Sequence, residues 1–174
     1  RRYKWKKSVL YSCNSDLYLN DLDGFKDKYK ITILENNTRY RFRLSNIINY
    51  WTESLTNSSG LFTKPVHLTN PYTNLKISTH NLYNIYFKLL DTGFDLPLSI
   101  KAFFTSNMNI DDFSFKYYPM LKEKAIENFI RKKGLIYEKW EQILNMLYEY
   151  RKIIKYLTFM DNVQYDVKIK DFFC

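Results

Sequence analysis

The sequence predicts an α+β fold that is predominantly helical, in which a small antiparallel β-sheet packs on four or five helices. Hydrophobic residues make up 45% of the 174-residue chain and aromatic residues 18%, which is enough for a substantial core. Only four Gly and four Pro are present, too few for a turn-dense β-sandwich or barrel. Apolar side chains recur at helical spacing over several long segments, whereas the alternating patterns typical of strands are short.

The N-terminal part predicts an arm, a strand and a loop. Residues 1–7 are basic and we expect them to form a flexible arm. Residues 9–11 are predicted as a short strand, and the polar, Asp-rich residues 14–28 as a loop. We expect one domain over residues 8–134, and residues 135–174 to form a long helix and a C-terminal strand that pack on it.

A hairpin and a helix follow the loop. Residues 29–34 and 39–44 alternate between apolar and polar side chains, and residues 35–38 separate them. This pattern predicts a β-hairpin with a four-residue connection. Ser45 is then a suitable N-cap for a helix over residues 46–56.

The next helix has clear start and stop signals. Residues 57–72 contain two prolines and are predicted as a loop. Ser78 or Thr79 caps the helix that follows, and Gly93 ends it. Its apolar face consists of Leu82, Ile85, Tyr86 and Leu89.

Two prolines mark the helices beyond. Pro97 suits the first turn of a helix that ends near Thr105. Asp111 begins another helical stretch, which Pro119 should kink or restart and Gly134 should end.

The C-terminal part predicts a long helix over residues 135–157 and an edge strand over residues 163–170, which could complete the sheet. Apolar residues of the helix are spaced alternately four and three apart, which is the heptad pattern. They are Ile136, Trp140, Ile143, Leu147, Tyr150, Ile154 and Leu157. A row of apolar residues with this spacing usually packs within its own domain. The alternative hypothesis is that Trp140, Leu147, Tyr150 and Ile154 form an interface with a partner.

The sequence gives no catalytic constellation, and we expect neither an enzyme nor a cofactor. It has no glycine-rich phosphate loop and no nucleophile elbow. The two His and two Cys are scattered, so we expect no metal site and free thiols rather than a disulfide. Asp111 and Asp112 could serve a metal-dependent nuclease, but carboxylates at the start of a helix also suit its dipole. A nuclease is therefore only the third hypothesis.

The basic residues predict the leading function, which is contact with an anionic partner. Up to residue 87, thirteen Lys and Arg stand against six Asp and Glu; beyond it the numbers are fourteen and twelve. The candidate nucleic-acid-binding residues lie in the arm and on the hairpin. They are Arg1, Arg2, Lys4, Trp5, Lys6, Lys7, Lys28, Lys30, Arg39, Arg41 and Arg43.

Strand alternation and the arm's composition are the reasons for this choice. Arg39, Arg41 and Arg43 share one strand face, and Lys28 and Lys30 extend it on the partner strand. In the arm, aromatic rings between cations suit base stacking combined with phosphate contact. We expect binding that falls steeply with salt, and that loss of the three arginines abolishes it while the fold survives. The alternative is that these residues bind no ligand, and that the strand face is solvated and residues 1–7 form a disordered tail.

Short motifs resemble a group of uncharacterised proteins of nucleocytoplasmic large DNA viruses. They are the Asn70-Pro71-Tyr72-Thr73 turn and the helix segment Leu82-Tyr83-Asn84-Ile85-Tyr86-Phe87 after it, with Cys13-Asn14-Ser15-Asp16 upstream. Pro97, the Phe103-Phe104 pair and Ala125-Ile126 also fit, so the resemblance covers roughly residues 8–132. It implies a viral origin and no particular activity. The turn itself is expected to be architectural, with Asn70 capping it and Pro71 fixing φ.

The leading hypothesis is thus a non-catalytic viral protein that binds nucleic acid. The alternative is a structural or assembly protein of the virion or replication compartment, acting through protein interfaces with other viral proteins. Both place the protein inside an infected cell, in a virus factory, the cytoplasm or the nucleus, or within the virion. No window approaches the roughly 18–20 apolar residues of a membrane span. The sequence leaves the oligomeric state open.

Overall fold

The computed structural model describes residues 2–132 and 136–149. They confirm a predominantly helical α+β fold. The chain divides into two compact units, Arg1–Ile130 and Arg131–Cys174. The predicted strand at 163–170, and the predicted helix beyond residue 149, lie outside the described residues.

A three-stranded sheet lies in the first unit, with the strand order β1-β3-β2. Its strands are β1 (Val9–Leu10), β2 (Lys30–Glu35) and β3 (Thr38–Arg43). β2 and β3 form the predicted antiparallel hairpin, and β1 pairs parallel to β3. The third strand of the sheet is therefore this N-terminal segment.

The hairpin connection has two residues, so the prediction of four was wrong. Asn36 and Asn37 have φ values of 46° and 64°, the left-handed backbone that the turns of two-residue hairpins require. Asn tolerates this conformation better than other residues with a side chain. Glu35 and Thr38, assigned to the connection, instead pair as the last residues of the two strands.

The described residues form seven helices rather than four or five. They are α1 (Arg2–Lys7), α2 (Leu44–Leu55), α3 (Thr79–Asp91), α4 (Leu98–Thr105), α5 (Ile110–Lys116), α6 (Tyr118–Arg131) and α7 (Ile136–Glu149). The two additional helices arise at the ends of the first unit. Residues 2–7 are helical rather than a flexible arm, and the stretch near Pro119 divides into α5 and α6.

Two other sequence assignments need correction. The residue before α2 is Arg43, which makes no side-chain cap, and Ser45 lies inside the helix. Residues 57–72 are not only loop, because β4 (Ser58–Ser59) and β5 (Phe62–Thr63) form a small hairpin there.

Gly93 and Pro97 mark the end of α3 and the start of α4 at the predicted positions, but the capping of α3 differs from the prediction. Gly93 follows the end of α3 with φ 72°, and Pro97 directly precedes α4. Ser78 is the N-cap of α3, but its side chain makes no cap bond within the helix. Its backbone N–H and hydroxyl both donate to the Glu35 carboxylate, at 2.8 and 2.7 Å. A carboxylate from the sheet therefore stabilises the start of α3.

The hydrophobic core lies between the sheet and helices α2 to α6, and it fixes the orientation of the hairpin. Tyr40 and Phe42 of β3 are buried, as are Ile31 and Ile33 of β2. Trp51 of α2 is fully buried. Burying one such side chain contributes about 2 kcal/mol. Because strand side chains alternate, the same burial turns the arginines of β3 to the opposite face of the sheet.

Candidate nucleic-acid interface

The basic face of the hairpin is assembled by strand register. Arg39, Arg41 and Arg43 are half-buried and alternate with the buried Tyr40 and Phe42, as predicted. The antiparallel pairing sets Lys30 opposite Arg43 and Thr32 opposite Arg41. Lys30 therefore extends this face as predicted. Lys28 lies outside the strand, in a 3₁₀ turn, with Nζ 4.6 Å from the centre of the Tyr29 ring.

Residues 14–28, which we call the acidic loop, supply an anionic partner to each of three cations on this face. Arg43 Nη1 lies 3.5 Å from Asp16 Oδ2, and Arg41 Nη1 lies 3.5 Å from Asp23 Oδ1. Lys30 Nζ lies 3.0 Å from Asp27 Oδ1. We call Lys30, Arg41 and Arg43 the paired end of the face.

Asp16 is the most strongly held of these carboxylates. It is buried, and it accepts bonds from the backbone N–H groups of Tyr18 and Asn20 at 2.8 and 2.9 Å. The Asn20 amide adds two contacts of 3.2 Å. Burial raises the pKa of Asp16, but these hydrogen bonds outweigh it and lower the pKa from 3.8 to about 2. The residue is therefore a charged structural centre of the loop.

The rest of the acidic loop is fixed around the same point. Leu22 is fully buried and anchors the loop. The Asn14 amide donates to Asp21 and Asp23, at 3.0 and 2.7 Å, while its carbonyl oxygen accepts from Arg41 Nη1 at 3.1 Å. The guanidinium of Arg43 also lies over the Phe25 ring, 4.2 Å from its centre. Arg41 and Arg43 thus hold the loop on the sheet.

The other end of the basic face has a different environment. Lys4, Lys6 and Lys7 are exposed on α1, and Arg39 lies beside them at the start of β3. Among the described residues, none of these four cations has a carboxylate within 4.0 Å. We call them, together with Trp5, the open end. Arg1 lies outside the described residues, and the Arg2 side chain is not described.

Contacts at Ser8 join α1 to the strands. The buried Ser8 donates its hydroxyl to the Trp5 carbonyl at 2.7 Å. Its own carbonyl accepts from Arg39 Nη2 at 3.3 Å. The Arg39 guanidinium lies over the Trp5 ring, 5.6 Å from its centre. The open end is therefore continuous with β3.

The Asn70-Pro71-Tyr72-Thr73 turn has the architectural role expected of it. Asn70 Oδ1 accepts from the Tyr72 N–H at 3.0 Å, and Thr73 Oγ1 accepts from the Leu75 N–H at 3.4 Å. The Tyr72 ring packs against Tyr11, Tyr40 and Phe42, with ring centres 4.8–6.0 Å apart. Its hydroxyl donates to the Ser15 carbonyl at 2.9 Å. The sequence pattern did not indicate this aromatic cluster, because its members lie far apart in the chain.

Two titratable groups adjoin this turn. Burial, then the neighbouring Cys13, raises the pKa of Tyr72 to about 12. The Cys13 thiol is free, and its hydrogen bond with the Ser15 hydroxyl, 3.2 Å long, lowers its pKa. Cys174 lies outside the described residues.

The other chemistry-bearing residues are dispersed. Asp111 and Asp112 lie exposed in the first turn of α5, and their N–H groups donate to Asn109 Oδ1. His67 Nε2 lies 3.0 Å from Lys76 Nζ, and burial followed by this neighbour lowers its pKa. Within residues 2–132 and 136–149, no group of three or more His, Cys, Asp or Glu is placed to hold a metal ion.

The predicted partner interface is described only in part. Trp140 and Leu147 lie on α7 and are half-buried, whereas Tyr150 and Ile154 lie outside the described residues. Four further apolar side chains of α7 are exposed: Ile136 at 66%, Tyr137 at 74%, Leu144 at 37% and Tyr148 at 73%. At 100° per residue the last three lie within about 40° of one another, so they form one stripe, whereas Ile136 lies outside it. None of the described helices is both long enough and apolar enough to cross a bilayer.

Comparison with known proteins found no match: no family model, no curated protein and no solved structure is significantly similar to this chain.

Proposed function

We propose that this protein is a non-catalytic nucleic-acid-binding protein of a large DNA virus, and that the open end is its contact surface. The observation that carries the proposal is the absence of carboxylates around Lys4, Lys6, Lys7 and Arg39 among the described residues. Cations without an acidic neighbour keep their full attraction for phosphate. The paired end contributes less, because aspartates already occupy its cations.

The charge of the whole molecule supports the same proposal. The formal net charge is +9, and it is concentrated before residue 88, where α1 and the hairpin lie. A positive field of this kind raises the rate at which a polyanion is encountered. If all four cations of the open end neutralise phosphates, log K should fall with log[salt] with a slope of about −3.

A salt titration with labelled nucleic acid tests the proposal. The probe is a mixed-sequence oligonucleotide, measured by fluorescence anisotropy between roughly 50 and 200 mM salt. We expect the variant Lys4→Gln/Lys6→Gln/Lys7→Gln to lose most of the affinity and most of the slope. Its matched control, Lys64→Gln/Lys116→Gln/Lys122→Gln, removes the same charge from exposed positions outside α1.

Equal losses in the two triple variants would show that only net charge matters. Absence of binding at low salt by the unmodified protein would reject the proposal altogether. In the viral setting that the resemblance implies, the partner would be nucleic acid in the infected cell or the virion.

A second candidate function is assembly through protein interfaces, and the apolar stripe of α7 favours it. Tyr137, Leu144 and Tyr148 expose apolar area on a single helix face. The test is light scattering of the protein and of Tyr137→Ser/Tyr148→Ser at several concentrations. Oligomers that the double substitution dissociates, and that added salt leaves intact, would support this function.

A further inference from the structure

We infer that the partner of the open end is single-stranded nucleic acid, and that an unpaired base stacks on Trp5. The inference rests on the proposed function and narrows its partner to one class. It is carried by an exposed aromatic ring that lies among cations on an anchored stretch of backbone.

The backbone at Trp5 is held in place, and the side chain remains accessible. The backbone carbonyl of Trp5 accepts from both the N–H and the hydroxyl of Ser8, at 3.4 and 2.7 Å. The next residue, Val9, donates its N–H to the Asn37 carbonyl at 3.0 Å, which ties this segment to the hairpin. Even so, 41% of Trp5 is exposed. Backbone that is anchored before binding loses little conformational freedom when a ligand stacks on the ring.

The two faces of the indole ring differ. Arg39 lies over one face, with its guanidinium carbon 5.6 Å from the ring centre. Since Arg39 lies on that side, the opposite face is the one on which we place a base. A base on the open face would complete a stack of guanidinium, indole and base. Arg39 would at the same time bring its positive charge close to the sugar–phosphate backbone.

The residues around Trp5 match the chemistry of a single strand. Lys4 and Lys6 flank it, and Lys7 lies one helical turn from Tyr3, whose ring centre is 4.5 Å from Lys7 Nζ. Tyr3 is 68% exposed, but at 100° per residue it lies about 160° around α1 from Trp5, so the inference depends on the Trp5 ring alone. An exposed aromatic ring within a positively charged surface is the combination by which proteins bind single strands with little sequence preference.

A duplex fits this surface less well. Its bases are stacked inside the helix, so an indole face has nothing to pair with unless the duplex is opened. The lysines could still contact duplex phosphates, but those contacts are independent of Trp5. An anionic membrane surface would likewise engage the lysines and offer no base. Dependence on Trp5 therefore separates the single strand from both.

The experiment compares four probes. They are a single strand of about 15 nucleotides, the duplex of the same sequence, inorganic polyphosphate, and vesicles containing phosphatidylserine. We expect the single strand to bind at least about tenfold more tightly than the duplex. Trp5→Ala should weaken single-strand binding by about 5- to 150-fold, the range for losing one stacked base, and leave the duplex unchanged. Trp5→Phe should retain most of the affinity.

A fluorescence reading locates the contact directly. In a Trp140→Phe background the remaining tryptophans are Trp5 and the fully buried Trp51. We expect the single strand to quench the exposed Trp5 signal and the duplex to leave it unchanged. Far-UV circular dichroism and thermal melting of each variant verify that the fold is retained.

The outcomes separate this inference from the proposed function. If binding is lost in the triple lysine variant but Trp5→Ala has no effect on the single strand, the inference is wrong and the proposed function stands. Equal binding of vesicles or duplex with no quenching would also overturn the inference. If the unmodified protein binds none of the probes, both fail.

Discussion

The two ends of one basic strand face have acquired different roles in this molecule. At the paired end, Arg41 and Arg43 contact Asp23 and Asp16 of the acidic loop. At the open end, Arg39 contacts a carbonyl group and an aromatic ring, and the described residues place no carboxylate near it. The same residue type, repeated at alternate positions, therefore holds a loop at one end and has no carboxylate partner among the described residues at the other, where we propose that it binds a ligand.

The comparison shows why a run of arginines is weak evidence for a binding surface. Alternation along β3 decides which side chains share a face, and the residues packed over that face decide which charges remain available. The arginine that still points to binding, Arg39, is adjacent to α1 rather than to the acidic loop.

The largest effect we expect is at Asp16. Asp16→Ala removes a buried carboxylate and leaves its backbone donors and Arg43 without their partner. The free energy of unfolding should therefore fall by about 3 kcal/mol. Urea denaturation measures this. Asp27→Ala is the matched control, because Asp27 is fully exposed and pairs with Lys30 at the surface. If Asp16→Ala lowers the free energy of unfolding as little as the control does, the paired end has no structural role.

The pH dependence of stability tests the same contact. The folded pKa of Asp16 lies below the value of 3.8 for the free carboxyl, so its contribution to stability is complete well above pH 3.8. It is lost as the pH falls from there through about 2, because below both pKa values the carboxyl is protonated in the folded and the unfolded state alike. We expect Asp16→Asn to reduce this acid-induced loss of stability, as measured by melting temperature against pH. An unchanged profile would contradict the assignment.

A smaller effect, on binding, is expected at Asp23. Asp23→Asn removes the carboxylate beside Arg41, so this cation of the paired end would become available to phosphate next to the open end's cations. Affinity for the single strand should rise up to about fivefold, and the salt slope should steepen by about 0.7. Asp95→Asn, which removes the carboxylate beside Lys101, is the charge-matched control. Equal gains in both variants would trace the effect to net charge alone.

The sequence was sufficient for features that depend on near neighbours. Gly93 and Pro97 mark the boundaries of α3 and α4 because φ preference is a property of single residues. Alternation in β3 identified the face shared by its arginines for a similar reason. The two-residue turn was missed because Asn36 and Asn37 could equally have formed the middle of a longer connection.

Features that depend on distant residues could not be predicted. Asp16 and Arg43 are 27 positions apart, and no periodicity indicates that they meet. The helical state of residues 2–7 accompanies anchoring by Ser8 and Arg39, which composition does not indicate. The sequence led us to expect that the fold survives the loss of all three arginines. The contacts of Arg43 instead predict that this loss destabilises the protein.

The most direct test of the central claim is to compare two charge-matched double variants. Lys4→Gln/Lys6→Gln removes two cations from the open end, and Arg41→Gln/Arg43→Gln removes two from the paired end. Binding to the single strand and thermal melting are measured on both proteins. We predict that the lysine variant loses affinity with an unchanged melting temperature, and that the arginine variant melts earlier yet binds nearly as well below its transition. The opposite pattern, with binding lost only in the arginine variant, would contradict the account.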